Sequence, residues 1–358
     1  MAKIRVLLVD DSVSVRKRLH EVLAGDADLE VVAEAEDGKR AISLCQALRP
    51  DVVTMDMMMP VMTGLSATEY IMAHCPTPIL IVSSSTNRGE LFKTYDALAA
   101  GAVEVLEKPR GDETDVAWEQ QFIGTLKLVS RIRVITHVRA RLSTPASRRP
   151  PLAQFDPTRD GATKREVIAI GASTGGPNAL LQVLRDLAPD PSVPVLVVLH
   201  INEPFGRAFA EWLDAQVDQS VGYAENGALT IAGTGRVLLA PPGQHLVVHG
   251  GRLWLTRDPE RHSCRPSIDV LFESVACEYG SGAAGCLLTG MGRDGAAGLL
   301  AMRRAGALTI AQDEATSVVY GMPREAVLLN AAERVLPLGR IGDTLAAFQR
   351  ICGEARST

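Results

Sequence analysis

Short, unbroken apolar runs alternate with longer stretches of helical period through the first 125 residues. Residues 4–9 (IRVLLV) read as a buried strand and 13–23 as an amphipathic helix, followed by a strand at 30–35 and a helix over 38–48. Strands at 51–55, 79–82 and 103–106 continue the series. Strands that alternate with helices predict a parallel sheet covered on both faces. Such sheets bring ligand-binding groups to the carboxyl ends of their strands. The pattern lapses over 143–161, which is rich in Pro, Ser, Arg and Asp and carries no apolar period, the composition of a linker. Arg131, Arg133, Arg139, Arg141, Arg148 and Arg149 crowd its entrance, as a solvated helix end or as a docking face for an acidic partner.

From residue 166 the alternation resumes, with strands at 167–170, 195–199, 284–288 and 307–311 and a helix over 176–187. The run VLVVL at 195–199 is continuously apolar, as strands buried on both faces are. Stretches 246–248 and 253–255 flank Gly250-Gly251 and predict a β-hairpin. No repeat of solenoid period is present. The expected organisation is α/β throughout: a first domain over 1–125, a helix end and linker over 126–162, and a second domain over 163–358. The second domain is expected to be doubly wound and mostly parallel, with one hairpin.

Composition narrows the function classes. Apolar residues make up 46% of the 358, enough for two buried cores. A formal net charge of −5 argues against a nucleic-acid binder, which carries a basic surplus. The six cysteines, Cys45, Cys75, Cys264, Cys277, Cys286 and Cys352, form no C-x-x-C pair, and reduced thiols are expected. No apolar stretch reaches bilayer-spanning length, and the N-terminus lacks the core of a signal peptide, so a soluble cytoplasmic protein is expected.

Candidate chemistry gathers at strand ends. Asp10 and Asp11 end the first predicted strand and Asp56 the third, so three carboxylates converge. Such hard oxygen ligands suit Mg²⁺. Ser83 closes the fourth strand, and Lys108, before Pro109, the fifth. A cation, a lysine and a hydroxyl around one carboxylate are what a phosphoryl acceptor requires, because each holds an oxygen of the transferred group. Any one of these residues alone would read as a turn or helix cap; five at one sheet rim would not.

In the second domain, Gly171-Ala-Ser173-Thr174-Gly175-Gly176 joins a strand to a helix, a turn that lifts the Ser173 hydroxyl clear of the sheet. A phosphate-cradling loop has similar glycines, so the segment alone leaves both readings open. His200 ends the strand at 195–199, and Asp294 lies just past the strand at 284–288. A serine becomes nucleophilic when a histidine takes its proton, and an acid on the other ring nitrogen fixes the tautomer. Of the other histidines, His20 and His74 fall in the first domain and His137 in its tail; His245, His249 and His262 flank the hairpin, where they are candidates to line a pocket, without the spacing of a metal site.

These motifs carry two resemblances. Over about 120 residues, Asp10-Asp11, Asp56 with Met57-Met58-Met59-Pro60 and Gly64, Ser83 and Lys108-Pro109 resemble a response-regulator receiver domain. This implies a (βα)5 flavodoxin-like fold with Asp56 as the phosphorylated residue. Asp10, Asp11, Asp56 and the Met58 carbonyl would bind Mg²⁺, and Ser83 and Lys108 would contact the phosphoryl group. Receivers usually carry an aromatic residue three places before this lysine; here Val105 stands there.

The second domain resembles the chemotaxis receptor-glutamate methylesterases over about 190 residues. The resemblance rests on Ser173, His200, Asp294, and the segments APPGQHL at 240–246, RPSIDVLF at 265–272 and QDEATSVVYGMP at 312–323. It implies a Ser-His-Asp esterase without a cofactor for the ester step, with Thr174 and Met291 at the oxyanion pocket. It also implies glutamine deamidation, methyl-accepting chemoreceptors as substrates, a histidine kinase as phosphodonor, and relief of active-site blockage on phosphorylation. Where the family has Gln-His-Met-Pro-Pro-Gly, this chain has LHINEPFG at 199–206. The alternatives are a receiver joined to a nucleotide-binding or other non-catalytic output domain.

Overall fold

In the computed structural model, residues 3–84, 87–109, 116–132, 134, 166–187, 193–229 and 236–354 are described. The expected linker, Arg133 and the arginines from Arg139 on, and His137 lie outside them. The chain divides into two compact units, Met1–Ser143 and Thr144–Thr358.

The first unit runs β1 (Ile4–Val9), α1 (Val13–Ala24), β2 (Leu29–Ala35), α2 (Gly38–Leu48), β3 (Val52–Met55), α3 (Gly64–His74), β4 (Ile79–Ser83), α4 (Arg88–Ala99), β5 (Glu104–Glu107) and α5 (Val116–Val129). All strand pairs are parallel, in the order β2-β1-β3-β4-β5. That is the flavodoxin-like order, whose switch point lies between β1 and β3. Polar N-caps start the first four helices: Ser12, Asp37, Thr63 and Asn87 each accept a backbone N–H three residues on. Buried Tyr95 and Phe122 fill the core beside the strands.

The second unit opens with β6 (Val167–Ala172), α6 (Gly176–Arg185), β7 (Val195–Leu199), α7 (Glu203–Gly206), α8 (Phe209–Asp214), β8 (Ser220–Tyr223) and β9 (Arg236–Leu239). The hairpin strands β10 (His245–His249) and β11 (Arg252–Thr256) come next, then α9 (Ile268–Tyr279), β12 (Ala283–Leu287), α10 (Ala296–Arg304), β13 (Leu308–Gln312), α11 (Met322–Leu328), β14 (Arg334–Leu336) and α12 (Leu338–Glu354). Seven strands form one parallel sheet in the order β14-β13-β12-β6-β7-β9-β8. β6 and β7 are buried along their whole length, as their apolar runs demand. The hairpin stands apart as a two-stranded antiparallel sheet, with Gly250 and Gly251 both at positive φ. Sequence pattern did not reveal β8, β9 and β14, which are only three or four residues long.

The consequence for chemistry is positional. β12, β6 and β7 are consecutive neighbours, paired Leu287↔Gly171 and Ala172↔Leu199. The loops that leave their carboxyl ends therefore emerge at one rim.

Candidate active site

In the first unit, Asp10 and Asp56 stand just beyond the adjacent strands β1 and β3, and their side chains are almost fully buried. Carboxylate oxygens of Asp10, Asp11 and Asp56 lie within 4.8 Å of one another. The Lys108 ammonium reaches across from the end of β5, 2.8 Å from Asp10 Oδ2 and 3.0 Å from Asp56 Oδ2. Burial, with the Asp10 charge adding to it, pushes the Asp56 carboxyl up to about 6 even though Lys108 opposes the shift. Burial of Lys108 is outweighed by the two carboxylates, which hold its pKa above the usual lysine value. An all-oxygen cluster with surplus negative charge fits a small hard cation. Met58 is half-exposed in the turn after Asp56, its sulfur 3.4 Å from Lys93 Nζ. The Ser83 hydroxyl is engaged elsewhere: it donates to buried Glu90 at 2.8 Å, as Ser84 does at 2.6 Å. Val105 is buried in the sheet.

In the second unit, Ser173 stands just beyond β6 and His200 just beyond β7; the His200 N–H donates to the Ala172 carbonyl at 2.9 Å, fixing the two as neighbours. Gly175, at φ +75°, turns the chain into α6, and a Cβ there would come within 2.6 Å of Val318. On the other side the Ser173 N–H donates to Thr289 O at 3.0 Å. The next residue, Gly290, passes so close that a Cβ on it would lie 2.7 Å from Ser173 Cβ. Glycine at 290 is thus what lets the 289–295 loop lie against the serine.

Asp294 is the most strongly held group of the site. Its Oδ1 accepts from Ser267 Oγ at 2.8 Å and the Asp269 N–H at 3.1 Å; its Oδ2 accepts from the Ile268 N–H at 2.7 Å and faces His200 Nε2 at 3.0 Å. Ser267 is the N-cap of α9 and Ile268 and Asp269 its first residues, so the carboxylate sits on a helix N-terminus. Burial works against its charge, but the His200 contact and these donors outweigh it and keep Asp294 below the usual carboxylate range. An ionised Asp294 in turn requires the proton of His200 on Nε2. Burial alone would lower the imidazole pKa, yet Asp294 and the nearby Cys264 raise it to about 9. Among the described residues no hydrogen bond links the Ser173 hydroxyl to the ring. In unliganded enzymes this contact commonly tightens only with substrate. Thr174 is buried and its carbonyl accepts from Thr289 Oγ1 at 3.0 Å. Met291 is exposed, and nothing among the described residues accepts its N–H.

Several contributors lie outside the expected Ser-His-Asp set. His245 is buried; its Nδ1 accepts the Ser267 N–H at 3.1 Å while Nε2 faces Pro259 O at 3.3 Å, so it steadies the cap that holds Asp294. Cys264 Sγ lies 3.8 Å from His200 Nδ1. Cys264 is carried on a two-residue turn, closed by Arg261 N–H to Cys264 O at 3.2 Å and the reverse bond at 2.9 Å. The central residues His262 and Ser263 have φ of +53° and +59°, a backbone that normally takes Asn-Gly. His262 Nε2 is 3.0 Å from buried Asp269. A cleft of about 520 Å³ opens here, lined by this turn, Met291, Arg293, Asp294 and Glu325. The sequence carries a cue for Ser267: an N-cap serine before the apolar run at 268–276 is a readable signal. None exists for Cys264.

Two family models match the chain: a response regulator receiver domain over residues 6–116 and a CheB methylesterase over residues 168–345. A protein-glutamate methylesterase/protein-glutamine glutaminase from Nitrosospira multiformis is 41% identical over 99% of both chains. The chain belongs to the CheB methylesterase family. A second member, from Anaeromyxobacter dehalogenans and of the same designation, is 43% identical over 97% of both chains. The catalytic domain of the Thermotoga maritima CheB methylesterase, a solved structure, is 32% identical and covers 51% of this chain and 97% of its own, with a TM-score of 0.48. As a CheB methylesterase the chain is a receiver-coupled hydrolase, and the non-catalytic output domain considered as an alternative is not favoured. Among the described residues no helix is long and apolar enough to cross a membrane.

Proposed function

We propose that the protein hydrolyses glutamate methyl esters on chemoreceptors, and deamidates specific glutamines there, under control of phosphorylation at Asp56. The domains assigned are a receiver over 1–125 and a catalytic domain over 163–358, acting in the cytoplasm. The observation that carries the reading is the buried Asp294, fixed by three donors of α9 and facing His200 Nε2 at 3.0 Å, at the sheet rim beside Ser173.

With Nε2 committed to Asp294, the ring nitrogen left to act is Nδ1. In the proposed reaction Ser173 Oγ attacks the ester carbonyl as its proton passes to that nitrogen. The negative oxygen of the tetrahedral intermediate is received by the backbone donors at Thr174 and Met291. Collapse expels methanol, which takes the proton back from the imidazolium. Water, deprotonated by the same nitrogen, then opens the acyl-serine and frees the glutamate. From a glutamine the leaving group is ammonia and the second half is identical.

In the receiver, Asp10, Asp11, Asp56 and the Met58 carbonyl would hold Mg²⁺, whose charge neutralises the incoming phosphoryl oxygens. Lys108 already lies within reach of Asp56, and Ser83 is assigned to the phosphoryl group once it leaves Glu90. The phosphodonor is a histidine kinase of the chemotaxis type.

Methanol release from methyl-labelled receptors, with and without a small phosphodonor, tests both halves. Ser173→Ala should abolish release while leaving Asp56 labelling intact, and Asp56→Asn should keep basal release but lose stimulation. Full release by the serine variant would remove the nucleophile assignment.

A further inference from the structure

A thiol faces the His200 nitrogen that Asp294 does not hold. Cys264 Sγ stands 3.8 Å from Nδ1, and His200, Cys264 and Asp294 together offer nitrogen, sulfur and oxygen ligand atoms within 4.8 Å of one another. A tetrahedral Zn²⁺ with bonds of about 2.0 Å to imidazole nitrogen and about 2.3 Å to thiolate sulfur would set those two atoms about 3.5 Å apart. The observed gap differs from that by a few tenths of an ångström, roughly what one side-chain adjustment supplies. We infer that Cys264 Sγ and His200 Nδ1 form an inhibitory site for a borderline-soft divalent cation, Zn²⁺ in the first place, at the mouth of the active-site cleft.

Three features support the assignment. The donor pair is of the type that selects zinc over the hard ions suited to the receiver pocket. Asp294 already accepts four contacts, so it stands behind the imidazole rather than on the ion. By holding the Nε2 proton it turns the Nδ1 lone pair outward, the carboxylate–histidine–metal relay found at zinc sites. The third is access: Cys264 is partly exposed and lines the cleft, and its approach is enforced by the His262-Ser263 turn at a positive φ that neither residue favours.

The chemistry is a ligand exchange. Zn²⁺ replaces the thiol proton, which goes to solvent, and takes the Nδ1 lone pair, with water completing the coordination. No electrons are transferred. Both nitrogens of His200 are then occupied, one by Asp294 and one by the metal, and nothing remains to accept the Ser173 proton. Two protein ligands make the site reversible, unlike a closed four-ligand structural zinc.

The inhibition rests on the esterase reading; the binding does not, and the test separates them. The reduced full-length chain, with Mg²⁺ saturating the receiver, is titrated with Zn²⁺ for methanol release and with Co²⁺ for the sulfur-to-cobalt charge-transfer absorption. The wild type should lose release in a way a chelator restores and should show the sulfur band. Cys264→Ser, normalised to its own zinc-free rate, should need about tenfold or more Zn²⁺ for the same loss and should lack the band, while its five other cysteines remain. His200→Gln should weaken the band whether or not it retains activity. A sulfur band that persists in Cys264→Ser, equal zinc sensitivity of wild type and that variant, or no band in the wild type would each overturn the site. A band without any esterase activity would instead uphold the site and sink the proposed function.

Discussion

At the scale of single residues, the site is governed by how one carboxylate sets one imidazole. His200 is pushed up to about 9, burial being outweighed by Asp294 and Cys264. A general base works only when deprotonated, so kcat/KM should rise with pH through a limb lying well above the ordinary histidine value. Asp294→Asn removes the charge that holds the proton on the ring. In that variant the limb should move to or below the ordinary range, and kcat should fall by about 10⁴-fold; pH–rate profiles of both proteins decide it. A limb unmoved by the substitution would mean that another group titrates. Much of this site was readable from sequence. Ser173, His200 and Asp294 each come just after an apolar run, and a parallel sheet gathers the carboxyl ends of its strands at one rim. Cys264 was not readable as a site residue, because it belongs to the chain between β11 and α9, and only tertiary packing carries it to the rim. His245, which opens β10, was readable only as a pocket residue beside the hairpin, not as the partner of the Ser267 N–H.

Secondary-structure elements explain the rest of the legibility. β6 and β7 are buried on both faces, so their sequences are unbroken apolar runs that nothing else imitates. β14 spans only Arg334–Leu336, half out of the core, and β8 carries Gly222; neither has a periodicity long enough to register. Elements are also tied by side chains no pattern predicts. Glu90, in the first turn of α4, accepts both Ser83 and Ser84 hydroxyls from the end of β4. Glu90→Ala would leave a buried hydroxyl without its acceptor, a loss of about 1–3 kcal/mol. Urea denaturation monitored on the receiver signals should show the midpoint falling accordingly; an unchanged midpoint would mean that Ser83 finds another acceptor at no cost.

For the molecule as a whole, two compact units carry two chemistries. The receiver pocket concentrates carboxylates, and Asp56 is raised to about 6, chiefly by burial. A carboxyl whose folded pKa exceeds its unfolded value of about 3.9 destabilises the fold as it ionises, so receiver stability should decline between about pH 4 and pH 6. Mg²⁺ should offset that loss at neutral pH by binding the folded form alone. Calorimetry of the full chain should show an Mg²⁺-dependent rise in the receiver transition, of about a few degrees, that shrinks in Asp56→Asn. A shift of equal size in wild type and variant would place the ion elsewhere.

One carboxylate has a double duty. Asp294 caps the start of α9 as well as aligning the imidazole, so fraying of the first turn of that helix would release the ring at the same moment. In the proposed mechanism, catalytic competence is thereby coupled to a local opening equilibrium far smaller than global unfolding. Warming or mild denaturant would silence the enzyme while its sheet still stands, and lost exchange protection of the Ile268 and Asp269 amides, both bound to Asp294, would be the first sign of it.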